Sequence, residues 1–407
     1  MSWVRFLLVL LCVVVLKSES IAQKRMSSYD ASFLYDENHE FLVNYKVASS
    51  GNDYKVYLQF MLNDGNVKIT DYLISYDLRA NYIDEKKRGA EVLLDSSQII
   101  SNGFRQFIYE VSLNNLQNAK IMVFDVFNKM KETHFVFEVA LDVQGQKPAP
   151  FLLFEANNDI PYFANFLNVK QDFRIINVFA SKGNYELSGV KNNKRIASPP
   201  FDLNEYNIPT EVKIDTLFGT NENEVMQLHN SGYYSISSPN VVDSERHIIV
   251  HDEYYPYFGN YEDLIKPLIL ITTNNEYNSF RNGDDVRQSF EAFVQDAISS
   301  NPERAKDFIK YYYRRIRTSA RLFTENKAGY KTDRGIIYQI FGKPNQVFRN
   351  ELTEVWSYAN LPNKENRFVF DKYWEDGVLK YKLKRNKRFE ENWMAAVEQW
   401  RKARIID

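Results

Sequence analysis

Alternation dominates the first third of the chain. Phe41, Val43, Tyr45 and Val47 are apolar at every second position. So are Tyr54, Val56, Leu58, Phe60 and Leu62, and again Phe135, Phe137, Val139, Leu141 and Val143. A period of two places each set on one face, as a half-buried antiparallel strand requires. With a turn signal at Asn63-Asp64-Gly65-Asn66 and no long helical period between Tyr29 and Val143, the pattern predicts a β-sandwich. Gln144 to Pro150 (QGQKPAP) breaks it with two prolines and a glycine and reads as a linker. A second β-rich stretch runs from Phe151 to about His251, with its clearest strands at Ile175 to Ala180 and Tyr233 to Ile236, and predicts a second, smaller sandwich.

The period then changes. Asp284 is positioned to cap a helix carrying Val286, Phe290, Phe293, Val294 and Ala297. Asn301-Pro302-Glu303 starts another, because a cap residue precedes a proline whose missing N–H costs nothing at the first helical position. Phe308, Ile309, Tyr312, Ile316, Ala320 and Phe323 follow at helical spacing. Strands are expected at Ile336 to Phe341, Val355 to Tyr358, Arg367 to Phe370 and Leu379 to Leu383, with a hairpin at Asp376-Gly377. A last helix carries Trp393, Val397 and Trp400 at i, i+4 and i+7. The chain thus reads as multidomain, mainly β and then α+β. Residues 23–146 and 151–252 form two sandwich-like domains, and residues 255–407 form helices with a small antiparallel sheet.

Length and composition agree with a chain of about two or three domains. Of 407 residues, 44% are apolar and 26% charged, and the 29 Phe and 27 Tyr suit strands and their cores. A net charge of −2 offers no global field for nucleic acid, so no nucleic-acid partner is expected. Residues 1–22 read as a signal peptide. Arg5 precedes the apolar run Phe6 to Leu16, too short for a comfortable span, and Ser20-Ile21-Ala22 offers small residues for cleavage before Gln23. No transmembrane span is expected after cleavage. The one cysteine, Cys12, lies inside this run. Leu11 stands where a lipidation site wants a small residue, so the mature chain is expected to lack thiols, disulfides and cysteine-ligated zinc.

Ala328-Gly329-Tyr330-Lys331-Thr332-Asp333-Arg334-Gly335 leads into Ile336-Ile337-Tyr338, and Phe341-Gly342-Lys343-Pro344 follows. This segment resembles the signature of the GWxTD-domain proteins, exported proteins typical of the Bacteroidetes, with Tyr330 where the family usually has Trp. Pro267 to Phe280 resembles the family's helical lead-in. Phe290 to Phe293 sits at its Phe-Trp pair, with Val294 replacing the Trp. Tyr312 to Ala320 resembles the helix before the signature, and Val355-Trp356-Ser357-Tyr358 the strand after it. The resemblance spans about residues 255 to 384. It implies a periplasmic or outer-membrane-facing location and carries over no established catalytic role.

From the residues themselves, the signature reads first as a structural joint. Gly329 is expected at positive φ as a helix cap, Thr332 and Asp333 bond nearby backbone N–H groups, and Gly335 lets the backbone pass closely. Gly342 and Pro344 set the next turn, and Trp356 follows in the strand. Arg334 pairs with Asp333 or another carboxylate. The sharper alternative makes the segment a ligand site, with Tyr330 stacking on a ring beside Asp333 and Arg334. Lys380, Lys382 and Lys384 share a strand face, and Arg385, Lys387 and Arg388 extend the cluster. That cluster is either a docking face for an anionic partner such as lipopolysaccharide or an edge strand guarded by lysine against aggregation.

No catalytic constellation, metal set or cofactor motif emerges. His247 and His251 lack the glutamate of a zinc-protease helix, and Ile248-Ile249-Val250 between them favours a strand. Asp252 to Tyr257 (DEYYPY) is aromatic and acidic, and fits either a sugar platform or rings packed at a domain boundary. The expected function is a non-catalytic envelope interaction or scaffold protein with an envelope protein partner. The alternatives are a hydrolase acting on envelope polysaccharide or peptide, and a carbohydrate- or lipid-binding module.

Overall fold

The structure, a computed structural model, describes residues 25–404 apart from 66, 86–89, 180–182, 192–194, 205–211, 240–244, 284, 363, 365, 376 and 377. The expected leader, Cys12, the cap at Asp284 and the hairpin at Asp376-Gly377 lie outside the described residues. Among those described, no helix is long and apolar enough to cross a membrane.

Two four-stranded sheets face each other in the first β unit. Strands β1 (Phe41–Ser50), β2 (Asp53–Leu62), β3 (Tyr72–Arg79), β4 (Val92–Leu93), β5 (Ile99–Asn102), β6 (Gln106–Leu113), β7 (Ile121–Asn128) and β8 (Thr133–Ala140) order as β1-β2-β6-β5 and β4-β3-β7-β8. The alternating residues meet between them: Phe41, Val56, Leu58, Phe60, Phe124 and Phe137 are buried in one core. Each such side chain removed from water contributes on the order of 2–3 kcal/mol before chain entropy is set against it.

The second unit holds β9 (Phe151–Glu155), β10 (Phe166–Asn168), β11 (Phe173–Asn177), β12 (Asn184–Lys191), β13 (Val212–Asn221), β14 (Gly232–Ser237) and β15 (Glu245–His251). A five-stranded sheet, β10-β15-β14-β12-β13, lies against the two-stranded sheet β11-β9. Phe151, Phe173, Leu187, Tyr234, Ile236 and Val250 fill the space between. His247 and His251 sit on strand β15, as the intervening Ile-Ile-Val run predicts.

The third unit places α1 (Tyr261–Ile265), α2 (Asn274–Asn282), α3 (Val286–Phe293), α4 (Pro302–Phe323), α5 (Asp333–Phe341) and α6 (Glu390–Arg401) around the antiparallel sheet β16 (Gln346–Arg349), β17 (Thr353–Ser357), β18 (Arg367–Glu375) and β19 (Val378–Leu383). Asp285 caps α3, and Asn301 with Pro302 opens α4. Trp393 and Trp400 of α6 are buried, and Trp400 Nε1 donates to Ile340 O at 3.1 Å, so the tryptophan stripe docks on its own domain.

One predicted strand is a helix. Ile336 to Phe341 belongs to α5, and the fourth strand of the sheet is Gln346–Arg349 instead. Every residue from Arg334 to Phe341 is buried. An element buried on all sides has no polar face, so its sequence carries little contrast between a period of 2 and one of 3.6. The deciding local signal is Thr332, whose Oγ1 accepts from Gly335 N at 3.0 Å and caps the helix.

Residues 26–35 lie in neither sheet. They form two short 3-10 turns, Met26–Ser28 and Ser32–Tyr35, and part of this segment joins the core of the third unit. Ala31 N donates to Val347 O at 2.8 Å, and Asp30 Oδ1 accepts from Val347 N at 2.9 Å.

Candidate functional site

Gly329 begins a 3-10 turn, Gly329–Lys331, after α4. It is not at positive φ. It is glycine because of contact: a Cβ there would lie 2.2 Å from Ser319 O and 2.8 Å from Ala320 O. Gly335 has the same constraint more sharply, since its Cβ would lie 1.9 Å from Gly329 O. The two signature glycines therefore let α5 press on the turn before it. Thr332 Oγ1 donates to Gly329 O at 2.8 Å, and buried Gln339 Nε2 donates to Tyr330 O at 2.7 Å and Gly335 O at 3.1 Å. Gly342 does take positive φ (82°) as the C-cap of α5, its carbonyl accepts from Tyr358 OH at 2.9 Å, and Pro344 beside it is buried.

Asp333 fastens α5 to the sheet. Its Oδ2 accepts from Leu383 N at 2.9 Å and its Oδ1 from Arg385 Nη2 at 2.5 Å. Arg385 Nη2 also donates to Ser198 O at 3.0 Å, tying in the strap that carries Ala197, whose N–H donates to Lys331 O. Arg385 is thus a joint residue.

Arg334 does not pair with Asp333. It is buried, stacks 3.3 Å from the centre of the Tyr381 ring and lies 3.3 Å from Glu325 Oε1 and 3.6 Å from Glu354 Oε1. Glu354 collects a wider set. Tyr35 OH lies 2.8 Å from its Oε1, Trp356 Nε1 donates to Oε1 at 2.7 Å, and Arg349 Nε lies 3.0 Å from Oε2 without the alignment of a hydrogen bond. Arg349 reaches further, 3.4 Å to Glu138 on β8 of the first unit, and its Nη2 donates to Tyr35 OH at 2.7 Å. This buried network joins the amino-terminal segment, the first sandwich and the third unit.

The two carboxylates around Arg334 are driven apart by their partners. Burial raises the Glu354 pKa, but Arg349, Arg334, Lys372 and the Tyr35 hydroxyl outweigh it and hold the group below the ordinary range. Burial dominates at Glu325 over the opposing charges of Arg334 and Lys327, and pushes it up to about 7. Glu354 shares the parity of buried Trp356 on β17, so a charge facing the core was visible in the spacing. Tyr35, Glu138 and Arg349 carried no such local signal.

The basic cluster divides. Strand β19 lies at the edge of its sheet, and Lys382, Lys384, Lys387 and Arg388 are exposed, with Lys384 3.0 Å from Asp371. Lys380 is only 3% exposed and pairs with Glu375, so it does not belong to a solvated lysine face. Sharing a strand face places side chains on one side, and the packing of other units against that side decides which of them meet water.

Tyr330 is 5% exposed, and burial raises its phenol pKa. Only its margin reaches a cleft of about 680 Å³ between the second and third units. The DEYYPY segment forms much of that wall: Tyr254 (62% exposed) and Tyr257 (66% exposed) present rings to solvent. Tyr255 turns inward. Its ring stacks 3.7 Å from that of His251, and its hydroxyl lies 3.0 Å from Thr324 Oγ1 and accepts from Gly329 N at 3.2 Å. Burial and then Lys331 push His251 down to about 3, so its imidazole is neutral, and its Nε2 has no hydrogen-bond partner. Burial lowers Lys331 to about 8, helped by Lys266 and Lys327. No group of His, Cys, Asp and Glu among the described residues is arranged to hold a metal.

Two sandwich-like units and a helix-plus-sheet domain, the first sandwich joined to that domain by a buried polar network, define a modular, β-rich protein. Residues 232–402 match the model of the GWxTD domain, and the chain is a GWxTD domain-containing protein. The match opens at β14 and closes just past α6, so it takes in the last two strands of the second unit. No curated protein matches the chain.

Proposed function

We propose that this protein is a non-catalytic interaction or scaffold protein of the cell envelope, exported to the periplasm and working with an outer-membrane assembly. The observation that carries the reading is the use of the signature itself: Thr332, Asp333, Arg334 and Gly335 spend their bonds and contacts on holding the turn and α5 against the rest of the third unit. Chemistry at Asp333 would need a carboxylate released from its backbone and guanidinium partners. The location rests on the family resemblance and on the apolar amino-terminal run. The test is a pull-down of the tagged mature chain from detergent-solubilised envelopes, read by mass spectrometry. A stoichiometric partner that cofractionates with outer membranes is the expected result. A chain that stays monomeric and partnerless in every detergent, or fractionates with the cytoplasm, overturns it.

A second reading rests on the cleft. Exposed Tyr254 and Tyr257 beside Asn260, Asp263 and Lys331 suit a sugar that stacks on rings and bonds at its edges. A glycan array comparing the native chain with Tyr254→Ala and Tyr257→Ala tests it. Equal signals from all three proteins remove the rings from any site.

A further inference from the structure

A smaller cavity of about 250 Å³ lies where all three units meet. Strand β1 of the first unit brings Lys46 to it, and strand β15 of the second brings Arg246. Lys46 Nζ donates to Asn165 Oδ1 at 2.8 Å and Ala164 O at 3.2 Å. Arg246 donates through Nε to Phe151 O at 2.9 Å and through Nη2 to Val47 O at 3.0 Å, on the residue next to Lys46. All these acceptors are neutral. Among the described residues no carboxylate stabilises either cation, and Arg246 Nη1 has no protein acceptor. From the third unit Arg334 and Glu325 line it 3.3 Å apart, beside Leu322, Thr324, Val378 and Leu379.

Two half-buried cations held side by side without a counter-ion are costly, because each loses hydration and repels the other. The strain is visible in both: burial and then Arg246 push Lys46 down to about 7, and burial pushes Arg246 down to about 10. A surface ion pair needs no cavity. Here a cavity is present, it is lined by both cations, and each cation is already oriented by backbone or amide oxygens. Those fixed orientations leave the remaining donors free to converge on a guest.

We propose that this cavity binds a phosphate group, either inorganic phosphate or the phosphate of a small phosphomonoester, held between Lys46 and Arg246. Two positive charges match a phosphate dianion, and the guanidinium supplies directional N–H donors beside the point charge of the ammonium. Because the walls come from three units, the bound anion acts as a fastener as well as a ligand. Its binding is therefore linked to stability of the assembled chain.

The test is thermal unfolding and isothermal titration of the full mature chain with sodium phosphate and with glycerol phosphate, against sodium chloride at matched ionic strength. A saturable rise in melting temperature with phosphate is expected, weakened at least about tenfold in affinity by Lys46→Gln and by Arg246→Gln. Lys382→Gln, on the exposed edge strand, should bind as the native chain does. Arg246 also holds backbone at Phe151 and Val47, so Lys46→Gln decides the matter if Arg246→Gln does not fold. Tighter binding of glycerol phosphate assigns the site to a phosphomonoester, and equal or weaker binding assigns it to free phosphate. Stabilisation that does not saturate, matches chloride, or survives Lys46→Gln unchanged overturns the proposal.

Discussion

Tyr35 and Glu354, 319 positions apart in the chain, meet in the core: the tyrosine hydroxyl lies 2.8 Å and 2.9 Å from the two carboxylate oxygens. The same hydroxyl accepts from Arg349 Nη2 at 2.7 Å. An amino-terminal turn thereby completes the hydrogen-bonding of a charge inside the GWxTD domain. Tyr35→Phe keeps the ring and removes the hydroxyl. A buried hydrogen bond to a charged group is worth about 1.5–3 kcal/mol, so urea unfolding should show a loss of about 2 kcal/mol. A loss below about 0.5 kcal/mol would mean that water replaces the hydroxyl.

Glu354→Ala should cost more. It strands Arg334 and Arg349 with less compensation in a buried site, and breaking such a pair costs about 3–5 kcal/mol. Glu354→Gln keeps acceptor capacity and should lie between the native chain and the alanine variant. Equal melting temperatures for the two variants would argue that packing, and not charge, holds the site.

Gly335→Ala places a methyl carbon 1.9 Å from Gly329 O, a contact that only backbone movement relieves. The expected outcome is a chain that folds poorly or loses upwards of about 3 kcal/mol, by the mechanism of overpacking. Gly51→Ala is the control. Gly51 also needs its glycine, for a φ of 62°, but has nothing within 4 Å, so its loss should stay near about 1 kcal/mol. Similar soluble yield and melting temperature for the two variants would remove the close approach as the reason for the signature glycine.

Glu325 makes stability depend on pH in a defined direction. Its folded pKa, about 7, lies above the ordinary 4.5, so folding favours the protonated form. That contribution is fully present below pH 4.5 and is lost as pH rises through about 7. Glu325→Gln keeps an acid-like shape without the titration. The variant should therefore gain on the native chain between pH 4.5 and 7, by an amount on the order of 3 kcal/mol, and the difference should be flat above. Parallel stability curves for the two proteins across that window would contradict the assignment.

For the aromatic cleft, Tyr330→Ala tests folding more than binding, because the ring is packed against Phe258 at 6.0 Å between centroids. Its melting temperature should fall markedly. Tyr254→Ala and Tyr257→Ala should leave thermal unfolding nearly unchanged, since both rings stand largely in water. A large destabilisation by either exposed tyrosine would place it in the fold and count against the cleft as a ligand platform.

Local chemistry was legible wherever a few neighbouring residues settle the matter. The period-two runs of Phe41 to Val47 and Tyr54 to Leu62 are strands paired in register, since alternation alone assigns their faces. Asn301-Pro302 starts a helix, since a cap bonds within three residues of itself. The edge position of the lysine-bearing strand β19 was also legible as one of two readings. Three things were decided only by tertiary structure. Ile336 to Phe341 is helix because a segment buried on every side has no polar face to report its period. Gly329 is glycine for a contact with Ser319 O, and a close approach of two backbones leaves no mark in spacing. Arg334 finds Glu354 and, through it, Tyr35 and Arg349, because Coulomb pairing in a core depends on which distant residues the fold brings within about 4 Å. The sequence alone determined most of the elements and the polar residues available to join them; the assembled units determined the type of the fully buried one and which of those residues became the joint.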